Sequence, residues 1–129
     1  MPGKSSFDYA VIRIVPRVER EEFVNVGVVL LSREHRFLGC RIELDAARLH
    51  ALDPGIDLSA VDAHLASFRA VCNGEAMTED LTTQAERFHW LTAPKSTIVQ
   101  TSPVHSGLSE DPAAELDHLL ATLVRAPNQ

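Results

Sequence analysis

The chain has 129 residues, of which 45% are apolar and 23% are charged. That length suits a single domain over residues 1–129, and that composition excludes wholesale disorder. Twelve basic against eighteen acidic residues give a net charge of −6, which argues against broad, salt-driven binding to nucleic acid or to a membrane surface.

The first half of the chain predicts three β-strands. Runs rich in β-branched residues cover 7–15, 22–31 and 36–44, and such residues favour strands. Pro16 ends the first run because proline cannot continue a hydrogen-bonded ladder. The four residues at 32–35 suit a hairpin loop between the other two runs. We therefore predict an antiparallel three-stranded meander.

Apolar residues at helical spacing predict two long amphipathic helices in the second half. The first helix is expected to begin with Asp57 or Ser59 as its N-cap and to stop at Gly74. The second is expected to begin with Asp111 as N-cap, followed by proline at the first helical position. The apolar stripes consist of Leu58, Val61, Leu65, Phe68 and Cys72, and of Leu116, Leu119, Leu120, Leu123 and Val124.

Three further segments complete the predicted fold. A short helix is expected over 45–52 and an extra strand over 97–101, whereas residues 78–90 are compatible with either a helix or a strand. The expected fold class is α+β, with an antiparallel sheet of three to four strands and helices mainly on one face.

Alternation along the three strands predicts two sheet faces of different character, because successive side chains point to opposite sides. One face is wholly apolar and is expected to lie beneath both long helices: Ala10, Ile12, Ile14, Val24, Val26, Val28, Leu30, Leu38, Cys40, Ile42 and Leu44. The other face is mixed: Tyr9, Val11, Arg13, Phe23, Asn25, Gly27, Val29, Phe37, Gly39, Arg41 and Glu43.

Polar side chains on the mixed face are candidates for a binding site. The predicted hairpin places Asn25 or Gly27 opposite Arg41, and the missing side chain of Gly27 leaves a shallow depression. Arg13, Asn25 and Arg41 around this depression would bind a carboxylate or a phosphate. The alternative is a solvent-exposed sheet face on which the arginines are solvated or paired with glutamates.

No spacing typical of a metal site, a haem site, a phosphate-binding loop or a nucleophile elbow occurs. Cys40 and Cys72 fall on apolar stripes, so we interpret both as small core residues. We expect no disulfide, no metal and no cofactor. Reduced cysteines and the lack of an apolar export segment near residue 1 favour a cytoplasmic protein.

The segment over 87–107 is dense in functional side chains and holds the only tryptophan. We expect it to form a loop that folds over the mixed face, because its apolar side chains need the apolar members of that face to bury against. Its candidate ligand-binding residues are His89, Lys95, Ser96, Gln100 and His105. The alternative is that Trp90 fills the core and the hydroxyl groups satisfy backbone atoms in a proline-rich turn.

Three segments together resemble a bacterial family, the domain of unknown function 3037. They read Tyr-Ala-Val-Ile-Arg-Ile-Val-Pro at 9–16, Glu-Phe-Val-Asn-Val-Gly-Val-Val-Leu at 22–30, and Phe-His-Trp-Leu-Thr-Ala-Pro-Lys-Ser-Thr at 88–97, continuing to Pro-Val-His-Ser-Gly at 103–107. The resemblance covers nearly the whole chain and implies a bacterial, cytoplasmic protein. It implies no activity, catalytic residue or cofactor, and it suggests a kinase-like protein of the HipA type as a partner.

Two functions of different classes fit these observations. We favour an accessory or interaction domain that binds a protein partner and an anionic ligand on the mixed face, because no nucleophile–base pair can be assembled from the spacings. The alternative is a small enzyme acting on a phosphate-bearing or nucleic-acid substrate. In that case Arg13 and Arg41 would bind the negative charge of the substrate, and His89 or His105 would act as the general acid or base.

Overall fold

The computed structural model describes residues 3–75 and 83–126. Five strands and four helices lie within these residues, together with a short 3-10 turn at Val18–Arg20. The strands are β1 (Ser5–Ile14), β2 (Val24–Ser32), β3 (Phe37–Ile42), β4 (Val99–Thr101) and β5 (His105–Ser109). The helices are α1 (Ala46–Leu52), α2 (Leu58–Cys72), α3 (Gln84–Thr92) and α4 (Pro112–Leu123).

The strands form one antiparallel sheet in the order β3-β2-β1-β4, with β5 also paired to β1. The length of β1 explains this arrangement, because one of its edges accommodates two short strands in succession. The Ile12–Ile14 part of β1 pairs with β4, and the Ser5–Tyr9 part pairs with β5. The predicted α+β class is confirmed, with five strands instead of three to four.

A β-bulge in β2 changes which residues share a face. Ile12 pairs with Gly27, whereas the next residue, Arg13, pairs with Asn25, so Val26 is an extra residue in β2. An extra residue reverses the alternation beyond it. Strict alternation along β2 was therefore a wrong expectation, and the residues placed on the wrong faces are Gly27, Val28, Val29 and Leu30.

The reversed alternation gives the sheet two apolar faces. The first face carries Ala10, Ile12 and Ile14 together with Val29, and it packs against α1, α2 and α3. On the second face lie Phe7, Val28 and Leu30, which pack against Leu116, Leu119, Leu120 and Val124 at α4. The prediction that both long helices cover the same face was therefore wrong for α4.

Side-chain caps explain where the helices begin. The carboxylates of Asp45, Asp57 and Asp111 accept hydrogen bonds from backbone amides in the first turns of α1, α2 and α4. Thr83 and Glu86 form a reciprocal capping box at α3. This cap makes residues 84–90 helical, while 78–82 of the ambiguous segment lie outside the described residues.

No helix in the described ranges is long and apolar enough to cross a membrane. The longest, α2, has 15 residues.

Candidate functional site

Arg13 projects from β1 on the second face, just beyond the bulge. Its guanidinium carbon lies 4.0 Å from the centre of the Phe23 ring, an arrangement that gives a cation–π attraction. Arg13 Nε is buried and has no hydrogen-bond partner within the described part of the chain. Burial lowers the pKa of this guanidinium, yet an arginine in a protein stays protonated. The side chain therefore holds a half-buried positive charge whose Nε donates to no acceptor in the described ranges.

A cavity of about 430 Å³ opens beside Arg13, and we call it the Arg13 cavity. Three segments line it: the end of β1, the turn that precedes β2, and the stretch that leads into β4. Antiparallel pairing places Gln100 of β4 directly across from Arg13. The lining residues are Arg13, Val15, Val18, Glu21, Phe23, Lys95, Ser96 and Gln100.

The turn before β2 shapes one wall of the cavity. Its backbone is closed by hydrogen bonds from the amide of Arg20 to Arg17 O at 3.0 Å and from Glu21 to Val18 O at 3.2 Å. Glu21 adopts a left-handed conformation with φ of 57°, which carries a steric cost for a residue with a Cβ. This conformation ends the turn, and Glu21 is the one acidic residue in the lining of the cavity.

Lys95 is a lining residue whose charge is engaged by backbone carbonyl groups. Its ammonium donates hydrogen bonds to the carbonyl oxygens of Trp90, Leu91 and Ala93. It also lies 4.6 Å from the centre of the Trp90 ring. These carbonyls belong to the end of α3, where a helix favours positive charge. Lys95 is therefore a helix-capping cation, and Arg13 is left as the cation available to an anion.

Ser96 and Gln100 supply neutral polar groups to the cavity. Ser96 is exposed, and Gln100 is partly buried with its amide nitrogen donating to Thr97 O at 2.9 Å. That bond fixes the orientation of the Gln100 amide. The lining thus combines these two neutral polar groups with Arg13, Lys95 and Glu21.

Three of the predicted site residues do not line the Arg13 cavity. Asn25 donates from Nδ2 to Leu123 O at 3.1 Å beneath the end of α4, and its Oδ1 is buried without a partner among the described residues. Arg41 forms an ion pair with Asp117 of α4 at 3.1 Å. Gly27 lies on the first face, opposite Ile12, so the predicted depression between Arg13 and Arg41 does not form.

The two candidate histidines also lie away from the cavity. His89 belongs to α3, where its ring is 6.5 Å from that of Phe88. His105 begins β5, and its ring is 5.5 Å from that of Tyr9. Of the nine predicted site residues, the structure brings together Arg13, Lys95, Ser96 and Gln100.

The 87–107 segment is not a loop over the mixed face, as was predicted. It contains most of α3, then β4 and the start of β5. Phe88 and Leu91 are buried in the core of the first face, while Trp90 remains 47% exposed. The prediction was wrong because α4 already covers the second face and because the helical spacing of Phe88 and Leu91 directs both side chains towards the first.

Sequence reasoning missed four residues of the cavity wall: Val15, Val18, Glu21 and Phe23. Phe23 was placed on the face of Arg13 but was not recognised as a platform for the guanidinium. Phe23 lies two residues before Asn25, the partner of Arg13 in β2, and this diagonal position is the signal that could have identified it. No comparable signal marks Val18 or Glu21, since a short turn places them.

Within residues 3–75 and 83–126, no three His, Cys, Asp or Glu side chains cluster as a metal site requires. The prediction of a metal-independent fold is tested directly by thermal melts with and without a chelator. A melting temperature that falls on chelation would contradict it.

Comparison with protein families identifies the family to which the chain belongs. A family model described as "Protein of unknown function (DUF3037)" matches residues 9–124. The chain belongs to this family. The DUF3037 match runs from the middle of β1 to the end of α4, so every residue lining the Arg13 cavity lies within it. No curated protein and no solved structure matches the chain.

Proposed function

We propose that this domain is a non-catalytic interaction module that binds a carboxylate side chain of a partner protein in the Arg13 cavity. The observation that carries the proposal is the buried Arg13 Nε without an acceptor, on a side chain that lines an open cavity. Buried donors are nearly always hydrogen-bonded, and one that is not calls for an explanation. A bound carboxylate supplies the missing acceptor.

The charges around the cavity favour a carboxylate over a phosphate. Arg13 is its available cation, because Lys95 is engaged with the end of α3. Glu21 adds a negative charge to the lining, which opposes a doubly charged anion more than a singly charged one. A guanidinium also matches the two oxygens of a carboxylate in a paired geometry.

The apolar walls favour a side chain carried on a peptide over a free small anion. Val18 is 38% exposed and Phe23 is 43% exposed, so both present apolar surface next to the guanidinium. Residues that flank an acidic side chain on a partner protein would cover that surface. We therefore place a protein segment in the cavity, and the kinase-like partner of the HipA type suggested by the resemblance is one source of it.

A binding role is favoured over the alternative enzyme by what the lining contains. His89 and His105, the residues expected to act as acid or base, both lie elsewhere in the described structure. The hydroxyl of Ser96 has no imidazole beside it in the lining, so the usual activation of a serine nucleophile is missing.

A titration followed by amide NMR shifts tests the proposal. The probes are the capped peptide acetyl-Ala-Glu-Ala-Phe-amide, its Gln counterpart, and inorganic phosphate. We expect the Glu peptide to shift the amide signals of Arg13, Ser96 and Gln100, because its carboxylate would bind the guanidinium. The Gln peptide should cause no such shift, since it lacks the charge.

Two arginine variants control the titration. Arg13→Met should abolish the shifts while the domain remains folded by circular dichroism. Arg17→Met removes an exposed arginine nearby and should leave them unchanged. Equal binding of the Glu and Gln peptides, binding that survives in Arg13→Met, or binding of phosphate in place of the Glu peptide would each contradict the proposal.

A further inference from the structure

The two cysteines of the chain meet between the sheet and α2. Cys40 lies on β3, and Cys72 is the last residue of α2. Both are free thiols, and each lies close enough to the other to shift its pKa. The two thiols belong to the core cluster of the first face, which also contains Val71.

The two thiols differ in their access to solvent. Cys72 is only 1% exposed, whereas Cys40 is partly exposed at the edge of the same core. A small reactant from solution therefore reaches Cys40 first. Cys72 lies behind it, in contact and shielded from reactants.

The surroundings also distinguish the two thiols electrostatically. The hydrogen bond from Cys72 lowers the pKa of Cys40 against the opposing effect of burial, and the charges of Arg69 and Arg41 lower it further. The same hydrogen bond and burial raise the pKa of Cys72, although Arg87 and Arg41 oppose the rise. Since a lower thiol pKa favours the nucleophilic thiolate, these surroundings favour Cys40 over Cys72 as the reactive sulfur.

We propose that Cys40 and Cys72 are a peroxide-reactive thiol pair, in which Cys40 is oxidised first and Cys72 then closes a reversible disulfide. The oxidant is hydrogen peroxide or another small hydroperoxide. The greater exposure of Cys40 and its closeness to Cys72 assign the order of the two residues.

The reaction balances in two steps. The Cys40 thiolate attacks one peroxide oxygen, the O–O bond breaks, and the products are a sulfenic acid on Cys40 and water. Cys72 sulfur then attacks Cys40 sulfur, the S–S bond forms, and the S–O bond breaks. The leaving hydroxide takes the proton of Cys72 as a second water. Two thiols are oxidised to one disulfide, and one peroxide is reduced to two waters.

The backbone after Cys72 closes the last turn of α2. The amides of Asn73, Gly74 and Glu75 donate to the carbonyl oxygens of Arg69, Val71 and Ala70, and Gly74 is left-handed with φ of 75°. Closing a disulfide, with an S–S bond of about 2.05 Å, therefore requires this turn to shift and bring the two sulfur atoms together.

Mass spectrometry of the full chain tests the pair. The reduced protein is treated with hydrogen peroxide, the remaining thiols are alkylated, and the intact mass is measured before and after trypsin. We expect a monomer that is lighter by two hydrogen atoms and takes up no alkylating agent. Trypsin should release residues 37–41 linked to residues 70–87, and dithiothreitol should separate them.

Single substitutions test the order of reaction. In Cys72→Ser the sulfenic acid on Cys40 has no resolving thiol, so dimedone should trap it at Cys40. In Cys40→Ser the buried Cys72 should react with peroxide more slowly than Cys40 does in Cys72→Ser, by about tenfold or more. Circular dichroism checks that both variants are folded. Detection of the linked peptide uses the unaltered chain and so does not depend on the folding of either variant.

Three outcomes would overturn the proposal. The first is retention of both thiols after peroxide treatment. The second is a disulfide that joins two chains instead of residues 40 and 72 of one chain. The third is preferential trapping of dimedone at Cys72.

Discussion

The backbone amide of Val11 donates a hydrogen bond to the side-chain hydroxyl of Ser102 over 2.8 Å. The backbone amide of Ser102 in turn donates a hydrogen bond of 2.8 Å to Val11 O, and the Ser102 hydroxyl donates to Pro103 O at 2.9 Å. The two residues thereby keep β1 paired where β4 has ended and β5 has not begun. Ser102 is 4% exposed, so water has little access to replace its hydroxyl.

Ser102→Ala should destabilise the domain, because it leaves the buried amide of Val11 without an acceptor. The cost of such an unsatisfied group is about 1–3 kcal/mol in the free energy of unfolding. Urea denaturation followed by circular dichroism measures it. The matched control is Ser67→Ala, an exposed position on α2, which should change stability little. Equal stability of the two variants would show that the Ser102 hydroxyl is dispensable.

Gly27→Ala should destabilise the domain because a Cβ at this position would lie 2.5 Å from Arg41 O. That atom belongs to the backbone of β3, which is paired with β2, so it cannot move aside without disturbing the pairing of the two strands. Overpacking of this kind costs about 1–3 kcal/mol, and Gly27→Val should cost more. Gly55→Ala is the control, since the nearest atom to its Cβ is 3.9 Å away. Thermal melts compare the variants, and an unchanged melting temperature for Gly27→Ala would contradict the close approach.

Asp111→Ala should weaken the attachment of α4 to the second face. The Asp111 carboxylate accepts a hydrogen bond from the amide of Ala114 at 3.1 Å and caps the helix. Loss of an N-cap costs about 1 kcal/mol. The neighbouring exposed residue Glu110 provides the control variant, Glu110→Ala. If urea melts show no difference between the two variants, the cap does not stabilise α4.

Stability at acidic pH should depend on Asp8. Burial by itself raises the pKa of this carboxyl, but hydrogen bonds from Ser106 and Arg33 and the charge of Arg33 outweigh it and hold the pKa below its ordinary value. The stabilisation is therefore present above the ordinary carboxyl pKa of about 3.9 and is lost as the pH falls through the lower folded value.

Urea melts of the unaltered chain and of Asp8→Asn test this dependence. The difference in unfolding free energy should be largest near neutral pH and should shrink as the pH falls below about 4. Asp62→Asn, an exposed carboxylate on α2, serves as the control for removal of a charge. A difference between the unaltered chain and Asp8→Asn that stays constant from neutral to acidic pH would contradict the lowered pKa.

Part of the candidate site was predictable because its residues follow local rules. Arg13 and Gln100 lie in runs of clear β character, and Lys95 and Ser96 lie in a proline-bracketed turn before one of those runs. Pairing of β1 with β4 then brings the four residues together. Gly27 does not join this group because the extra residue Val26 breaks the alternation along β2. Arg41 does not join it because α4 lies on the second face and its Asp117 pairs with Arg41.

The sequence by itself determined β1 to β4, the short helix α1 and the long helices α2 and α4, whereas β5 was not predicted and α3 was left ambiguous. Caps at Asp57 and Asp111, helical spacing of leucines and β-branched runs act between residues close in the chain, so they can be read without the fold. Only the tertiary structure decided which face each element covers. The bulge at Val26 moves Val28 and Leu30 to the second face, and burial of those two side chains against α4 depends on contacts between residues far apart in sequence.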